Sequence, residues 1–354
     1  MTPELGVIEG YFGPPWTHAE RMRAVAGLAQ LGYAHFHYAP KADAFLRRRW
    51  REGHPEAALL ELAELSAHCR RLGVRFGVGL SPYELYRDYS GAAKAAFVAK
   101  LRALDAIGLD DLAILFDDTR GDVQGLAAKE ADIVHTALAG TRATRVVMCP
   151  TYYSDDRMLD TIFGARPAGY LGELGRRLDP RVGVYWTGEE ICAREYSTGH
   201  LAGVGELLRR KPTLWDNYPV NDGPRMSRFL HLRGFTGRPA AIGECIAAHA
   251  FNPALQPRLT LIPAATLAAS YREGSGYSYM RAFREAARSL AGPELAAMLE
   301  EDLLALQDLG FDHLGADRER LKGRYGAVDH PMAAEVARWL DGAYTMDRWE
   351  PDNG

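Results

Sequence analysis

Short apolar runs alternate with amphipathic stretches along most of this chain. The apolar runs predict eight strands, at residues 5–9, 34–39, 74–80, 112–116, 145–149, 182–186, 213–215 and 240–246. The stretches between them carry apolar residues at three- and four-residue spacing, as amphipathic helices do, and include residues 19–31, 55–72, 92–107, 123–138, 201–210 and 255–271. Eight consecutive strand–helix units of this length predict an α/β fold of the (β/α)8 TIM-barrel class.

A doubly wound parallel sheet is the alternative fold. Its usual sign is a glycine-rich turn after the first strand, whereas residues 9–15 here contain bulky side chains that would not cradle a pyrophosphate. We therefore favour a barrel over residues 1–271. We predict a linker at residues 272–279. A small helical appendage follows at residues 280–354, with predicted helices at 280–290, 293–309 and 331–344.

Composition and charge exclude several classes of function. The chain has 42 Lys and Arg against 46 Asp and Glu, a net charge of −4, and no basic stripe, which argues against nucleic acid or an anionic membrane as a partner. Four widely spaced cysteines without a Cys-x-x-Cys pair predict reduced thiols. No run approaches the roughly 20 apolar residues of a membrane span, and the first predicted strand begins too early to leave room for a leader, so we expect a cytoplasmic protein unless a leader was trimmed.

Residues 113–118, Ala-Ile-Leu-Phe-Asp-Asp, are the strongest functional signal in the chain. The apolar part is typical of a strand buried on both faces, and sheets of such strands bind ligands at the carboxyl ends. Asp117 and Asp118 would lie at such an end, where two carboxylates can serve as acid and base. The pair could equally cap the next helix. A role in catalysis is favoured only if other strand ends carry similar residues.

The other predicted strand ends are also polar and aromatic. In a barrel the residues just past the strands form one face, so these side chains would converge. Aromatic rings stack on the apolar faces of sugars, while carboxylates, amides and a lysine bind hydroxyl groups, so the pattern indicates a neutral, polyhydroxylated ligand. The strand-end residues include Glu9, Gly10, Tyr11, Tyr38, Lys41, Tyr152, Tyr153, Trp186, Trp215, Asn217, Asp222 and Asn252.

Six segments at these strand ends carry a family resemblance. They are Gly6-Val7-Ile8-Glu9-Gly10-Tyr11-Phe12-Gly13, Tyr38-Ala39-Pro40-Lys41, Leu115-Phe116-Asp117-Asp118, Cys149-Pro150-Thr151, Trp186-Thr187-Gly188 and Trp215-Asp216-Asn217. In order and spacing the chain resembles the O-GlcNAcase-type β-N-acetylglucosaminidases of glycoside hydrolase family 84 over residues 5–271. It departs from that family at Pro14 and Ala42, where the family usually has an arginine and an acid.

The resemblance implies retaining, exo-acting hydrolysis of terminal β-linked N-acetylglucosamine without metal or cofactor. In this chemistry the 2-acetamido oxygen of the substrate attacks C1 and forms an oxazoline, which water then opens. By position, Asp117 would orient the acetamide N–H, and Asp118 would protonate the leaving oxygen and then deprotonate the water. The resemblance further implies Tyr153, Trp215 and Asn217 around the acetyl group, and Gly10 (through its backbone), Lys41, Asp222 and Asn252 on the sugar hydroxyls.

Two rival functions remain at this stage. His35 and His37 have the spacing of a metal pair, which would suit a metal-dependent barrel amidohydrolase, although packing histidines are favoured because strands five and six offer no further His ligand. A sugar-binding protein without catalysis is the other rival. We expect a structural role for Glu9.

The predicted partner is a glycan or glycoprotein that contains N-acetylglucosamine. The sequence leaves the aglycone open among protein O-GlcNAc, a chitin-type oligosaccharide, a wall fragment and a hyaluronan-derived end. It also leaves the oligomeric state open, a homodimer included.

Overall fold

The structure, a computed structural model, describes residues 2–117 and 119–349, so the predicted acid Asp118 lies outside the described residues. Eight parallel strands close into a barrel in sequence order, which confirms the predicted fold class. β1 pairs with both β2 and β8, and this double pairing closes the barrel. The strands are β1 (Glu4–Glu9), β2 (His35–Tyr38), β3 (Arg75–Leu80), β4 (Asp111–Leu115), β5 (Arg145–Cys149), β6 (Gly183–Trp186), β7 (Thr213–Asp216) and β8 (Ala248–Phe251).

Helices surround the barrel and cover the outer faces of the strands. α1 begins with a capping box in which Thr17 and Glu20 satisfy each other's backbone N–H groups. The helices up to the end of the barrel are α1 (His18–Gln30), α2 (Glu56–Arg71), α3 (Gly91–Asp105), α4 (Leu126–Gly140), α5 (Met158–Phe163), α6 (Tyr170–Arg177), α7 (Thr198–Leu208), α8 (Gly223–Met226) and α9 (Leu261–Glu273). Among the described helices, none is long and apolar enough to cross a membrane.

The barrel interior is a separate small core. Every residue of β4 is buried, as the apolar run predicted. Side chains from most of the strands fill the interior, as is usual in this fold. This inner cluster consists of Ile8, Ala39, Ala113, Leu115, Val147, Cys149, Tyr185, Trp215 and Ala250.

The prediction of the eighth strand at residues 240–246 is wrong. Residues Ala240–Glu244 form a short 3-10 helix, and β8 begins only at Ala248. The apolar residue Ile242 is buried within the 3-10 helix. β8 contains His249, whose imidazole is buried between Asp216 and Tyr271, so polar contacts rather than an apolar run fix this strand.

The predicted linker at residues 272–279 is shorter in the structure. α9 continues to Glu273, a 3-10 turn covers Gly274–Gly276, and α10 begins at Tyr279. The predicted break between the next two helices is a kink inside α10, where Gly292 has φ +78° before Pro293. The appendage helices are α10 (Tyr279–Glu301), α11 (Asp317–Gly326), which the sequence pattern missed, and α12 (Pro331–Leu340).

The helical appendage packs directly on the barrel. The carboxylate of Glu335 on α12 accepts hydrogen bonds from the backbone N–H groups of Arg258 and Leu259, at 2.9–3.0 Å. The indole N–H of Trp339 donates to the carbonyl of Ser227 at 3.1 Å. Arg258 and Leu259 follow β8, and Ser227 follows β7. The appendage therefore supports loops at the carboxyl ends of the strands.

Candidate active site

A cavity of about 490 Å³ opens at the carboxyl ends of the strands. It brings together residues from β1, β2, β4, β5, β7 and β8 and the loops that follow them. Every predicted site residue that the structure describes lines this cavity: Gly10, Lys41, Asp117, Tyr153, Trp215, Asn217, Asp222 and Asn252. The sequence therefore predicted a set of side chains that the fold gathers in one place.

Lys41 and Asp117 form a buried ion pair at the cavity wall. The Lys41 ammonium hydrogen-bonds to Oδ2 of Asp117, and both side chains are almost fully buried. The same ammonium lies 5.9 Å from the ring centroids of Phe12 and Trp215, within the range of a cation–π contact. Lys41 is therefore part of the site and not a solvated surface lysine, and its charge stabilises the carboxylate of Asp117.

A relay of amide hydrogen bonds fixes the opposite wall. The indole N–H of Trp215 and the side-chain NH₂ of Asn252 both donate to Oδ1 of Asn217, each at 3.1 Å. Asn217 donates in turn to the carbonyl of Ile191 at 2.8 Å. The N–H of Gly10 donates to Oδ1 of Asn252 at 3.1 Å, so this relay joins the ends of β1, β7 and β8.

Gly10 is required by the position of the Trp215 indole. A Cβ atom at residue 10 would lie 2.3 Å from Cζ2 and 2.7 Å from Cη2 of Trp215, far inside van der Waals contact. The indole also packs edge-on against Tyr185, with ring centroids 5.3 Å apart. The indole is therefore held between the β1 backbone and the interior of the barrel.

Asp222 joins two loops at the cavity mouth. Although it immediately precedes α8, its side chain does not cap that helix. Its Oδ2 instead accepts the backbone N–H of Phe12 at 2.7 Å. Trp349, from the end of the appendage, packs edge-on against Phe12 at 5.5 Å and lies against Gly223. The appendage thus contributes directly to the rim of the cavity.

A buried charge cluster supports the β7 end of the site. Arg238 donates two hydrogen bonds to the carboxylate of Asp216, at 2.6 and 2.8 Å, and Nε2 of His249 lies 3.0 Å from the same carboxylate. Burial alone would raise the pKa of Asp216, but the Arg238 charge and these hydrogen bonds lower it. The backbone carbonyl of Asp216 accepts the N–H of Asn252 at 2.8 Å, so the cluster also holds β8 in place.

Glu9 has a structural position. Its fully buried carboxylate accepts two hydrogen bonds from Arg21 on α1, at 2.7 and 2.8 Å, and a longer one from the Tyr11 hydroxyl. It is not among the residues that line the cavity. The geometry thus matches the structural role expected for this acid.

His35 and His37 lie at the other end of the barrel. Nδ1 of His35 is 3.0 Å from Glu4, and Nε2 of His37 is 3.0 Å from Asp111, the residues that begin β1 and β4. Within residues 2–117 and 119–349, no three His, Cys, Asp or Glu side chains are arranged to hold a metal ion. The two histidines therefore belong to an ionic network that also contains Arg75.

Sequence reasoning missed part of the cavity wall. Phe12 lay inside a motif but was assigned no role, and Ile162 and Phe163 belong to α5, which the apolar periodicity did not predict. Trp349 carries no local signal, because only the packing of the appendage brings it to the mouth. The further lining residues are Arg47, Cys149, Thr187, Ile191, Cys192 and Val220.

Known proteins with similar sequences and structures agree with this geometry. The rat and mouse proteins named Protein O-GlcNAcase are each 26% identical to the chain over 278 residues, which is 75% of this chain and 30% of theirs. The chain thus spans about a third of the length of these curated relatives. A solved mutant of the Thermobaculum terrenum O-GlcNAc hydrolase superposes with a TM-score of 0.80 at 26% identity, covering 95% of this chain and 80% of that one.

The family comparison covers most of the molecule. The family model described as beta-N-acetylglucosaminidase matches residues 5–306, which include all of the barrel except Glu4 at the start of β1, and all of α10. Because the match spans more than half of the chain and contains every described residue of the cavity except Trp349, the chain belongs to the β-N-acetylglucosaminidase family of glycoside hydrolases.

Proposed function

We propose that this chain is a retaining, exo-acting β-N-acetylglucosaminidase that releases terminal β-linked N-acetylglucosamine from a glycan or glycoprotein. The observation that supports it best is the cavity itself, which is lined by all eight described residues of the predicted site. Its volume of about 490 Å³ suits one sugar ring and the first atoms of a leaving group. The relatives named Protein O-GlcNAcase make a glycosylated Ser or Thr one candidate aglycone.

The proposed mechanism uses the substrate's own acetamide as nucleophile. Its carbonyl oxygen attacks C1, the glycosidic C–O bond breaks, and Asp118 gives its proton to the leaving oxygen. Asp117 accepts the acetamide N–H and stabilises the positive charge of the oxazolinium, a role that its ion pair with Lys41 suits because it keeps the carboxylate ionised. Water, deprotonated by Asp118, then adds to C1 and reopens the ring.

Three features of the cavity wall would hold the sugar. The faces of Trp215 and Tyr153 are apolar surfaces for the acetyl methyl group and the ring. The Asn217 and Asn252 amides are locked by the relay, so they can offer their remaining polar positions without reorganising. Asp222 and Lys41 would bind the outer hydroxyl groups through charge-assisted hydrogen bonds.

The decisive experiment is a plot of log kcat/KM against leaving-group pKa for a series of aryl and alkyl N-acetylglucosaminides. General acid help is typically worth about 10²- to 10⁴-fold and matters most for poor leaving groups. Asp118→Ala should therefore steepen the plot, whereas Asp117→Ala should slow all substrates in similar proportion. Asp122, an exposed acid paired with Arg120, supplies the matched control, since Asp122→Ala should leave the plot unchanged.

Substrates without the 2-acetamide test the nucleophile. Aryl glucosides should be inert, because Glu9 is the only other acid considered for nucleophilic attack and it is paired with Arg21. Comparable turnover of the plain glucoside, or a covalent sugar ester found on Glu9 of the wild type and absent from Glu9→Gln, would contradict the assignment. A protein that binds N-acetylglucosamine but turns over no aryl glycoside would be the sugar-binding rival instead.

A further inference from the structure

Glu130 is a fully buried acid that the proposed mechanism does not use. It lies on α4, the helix that follows Asp117 and Asp118 in the chain. One carboxyl oxygen is 2.7 Å from the Thr151 hydroxyl and also accepts the Thr151 N–H at 3.2 Å, and the other accepts the Tyr170 hydroxyl. Among the described residues, no Lys, Arg or His contacts this carboxyl, so a negative charge here would be buried without a counter-charge.

Two hydroxyl groups connect Glu130 to the acid pair. Oγ1 of Thr151 lies 2.9 Å from Oγ1 of Thr119, and Oγ1 of Thr119 lies 2.6 Å from the carbonyl oxygen of Phe116. Both threonines are buried. Because Phe116 and Thr119 stand immediately before and after Asp117 and Asp118 in the sequence, the chain of contacts ends on the segment that carries the acid pair.

The number of protons decides the charge of Glu130. Three oxygen–oxygen contacts run from the carboxyl through Thr151 and Thr119 to Phe116, and each threonine hydroxyl has only one proton to donate. With an ionised carboxylate, two protons serve three contacts, and one buried pair of oxygens is left without a hydrogen bond. With a neutral carboxylic acid, each oxygen donates to the next and all three contacts are hydrogen bonds.

We propose that Glu130 is a positioning residue that is held as the neutral acid, and that its proton completes a hydroxyl chain which fixes the segment carrying Asp117 and Asp118. The inference rests on the proposed function, because it assigns Glu130 to the geometry of those two acids. Glu130 itself does not touch the cavity. It acts through Thr151 and Thr119, and the loss of either hydroxyl interrupts the hydroxyl chain of hydrogen bonds.

The electrostatic surroundings support a neutral Glu130. Burial raises its pKa to about 7, and the hydrogen bonds donated by Tyr170 and Thr151 oppose this only in part. Among the described residues, the titratable groups whose pKa responds to a Glu130 charge are two phenols: burial raises the pKa of Tyr170 well above its usual value and that of Tyr152 to about 12. Neither phenol brings a charge near neutral pH that could stabilise a carboxylate.

Matched variants separate positioning from simple stability. Thr151→Val removes the central hydroxyl at almost constant volume, and we expect kcat to fall about ten- to a hundredfold with KM within about threefold of wild type. The control is Thr266→Val on α9, because Thr266 is equally buried and donates to the carbonyl of Pro263, and neither residue lines the cavity. It should lower the melting temperature but keep kcat. An equal effect of both variants on kcat would overturn the proposal.

The conservative variant tests the charge. Glu130→Gln can donate to the Thr151 hydroxyl from its amide nitrogen and accept from Tyr170, and it gives up only the longer contact with the Thr151 N–H at 3.2 Å, so kcat should stay within about threefold of wild type. If Glu130→Gln lost as much activity as Thr151→Val, the proposal would be wrong.

An infrared measurement tests the neutral acid without any substrate. The difference spectrum of wild type minus Glu130→Gln at pH 6 should contain the C=O stretching band of a protonated carboxylic acid. A difference spectrum with only carboxylate bands would overturn the proposal. Because this readout needs no turnover, it stays informative if wild type fails on N-acetylglucosaminides, which would instead contradict the proposed function.

Discussion

Gly10→Ala tests whether the exact seat of the Trp215 indole matters for turnover. Gly10 does not have a positive φ, so its backbone accepts alanine, and the only obstacle is the indole. To reach a normal carbon–carbon distance of about 3.5 Å from a Cβ that starts 2.3 Å away, Cζ2 of Trp215 must move by about 1.2 Å. The edge-on contact with Tyr185 and the hydrogen bond to Asn217 both oppose that movement.

A displacement of this size has a large expected effect. Misplacing a substrate-contacting group by about 1 Å can cost about 10²-fold in rate, so we expect kcat/KM for an aryl N-acetylglucosaminide to fall by about that factor. The overpacking should also destabilise the fold by about 1–3 kcal/mol. The control is Gly203→Ala in α7, where an added Cβ meets nothing within 4 Å and the helix should become slightly more stable.

A double-mutant cycle identifies the cause. Trp215→Phe removes the outer edge of the indole, and Gly10→Ala in that background should cost less than about threefold, because the clashing atoms are gone. Steady-state kinetics on the four proteins and their melting temperatures supply the measurement. The reasoning is refuted if Gly10→Ala alone keeps wild-type kcat/KM, or if it costs the same in both backgrounds.

Two further predictions use other parts of the site. Asp222→Ala should lower kcat/KM by roughly 10- to 150-fold, equivalent to a charge-assisted hydrogen bond of about 1.5–3 kcal/mol, and unchanged kinetics would remove Asp222 from sugar binding. Asp222→Asn keeps an acceptor for the Phe12 N–H, so its kinetics separate charge from loop support. For Glu130, the folded state binds the proton more tightly than the unfolded chain, since its pKa rises from 4.5 to about 7. The free energy of unfolding should therefore fall by about 3 kcal/mol as the pH rises from 4.5 to about 7. Glu130→Gln should abolish this pH dependence, which urea unfolding at several pH values measures.

The barrel was predictable where burial on both faces leaves a pure apolar signal. β4 is fully buried, and its apolar run gave the strand and the position of the acid pair together. β8 was misplaced because it contains His249, whose buried imidazole contacts the carboxylate of Asp216. A local sequence pattern cannot distinguish such a buried, hydrogen-bonded histidine from a polar loop residue. The apolar residues at 240–246 looked more like a strand but pack as a 3-10 helix.

Most of the site could be predicted because its residues lie at the ends of strands. A residue that reaches the site from elsewhere in the chain could not be predicted in this way. Gly10, Lys41 and Trp215 come just after strands or at their last positions, so the fold class alone brings them to one face. Trp349 reaches the mouth only because α12 and the segment after it pack on the C-terminal end of α8, with the Met346 N–H donating to the Ser227 hydroxyl at 3.0 Å. Such long-range packing has no trace in local sequence.

Asp216 and Glu130 are buried acids that support different parts of the site, and they differ in charge. This difference suits the proposed roles of the residues that each acid supports. Under β7 and β8, Asp216 is an ionised carboxylate compensated by Arg238, and its backbone carbonyl accepts the N–H of Asn252, a member of the relay of uncharged amides and indole. Under the segment that carries Asp117, the support is Glu130, and no cation of the described chain contacts it. A carboxylate there would bring an uncompensated negative charge toward the acid pair and disfavour the ionised form of Asp117 that the proposed mechanism needs. A neutral acid transmits position through its hydroxyl chain and leaves Lys41 as the charge that Asp117 contacts directly.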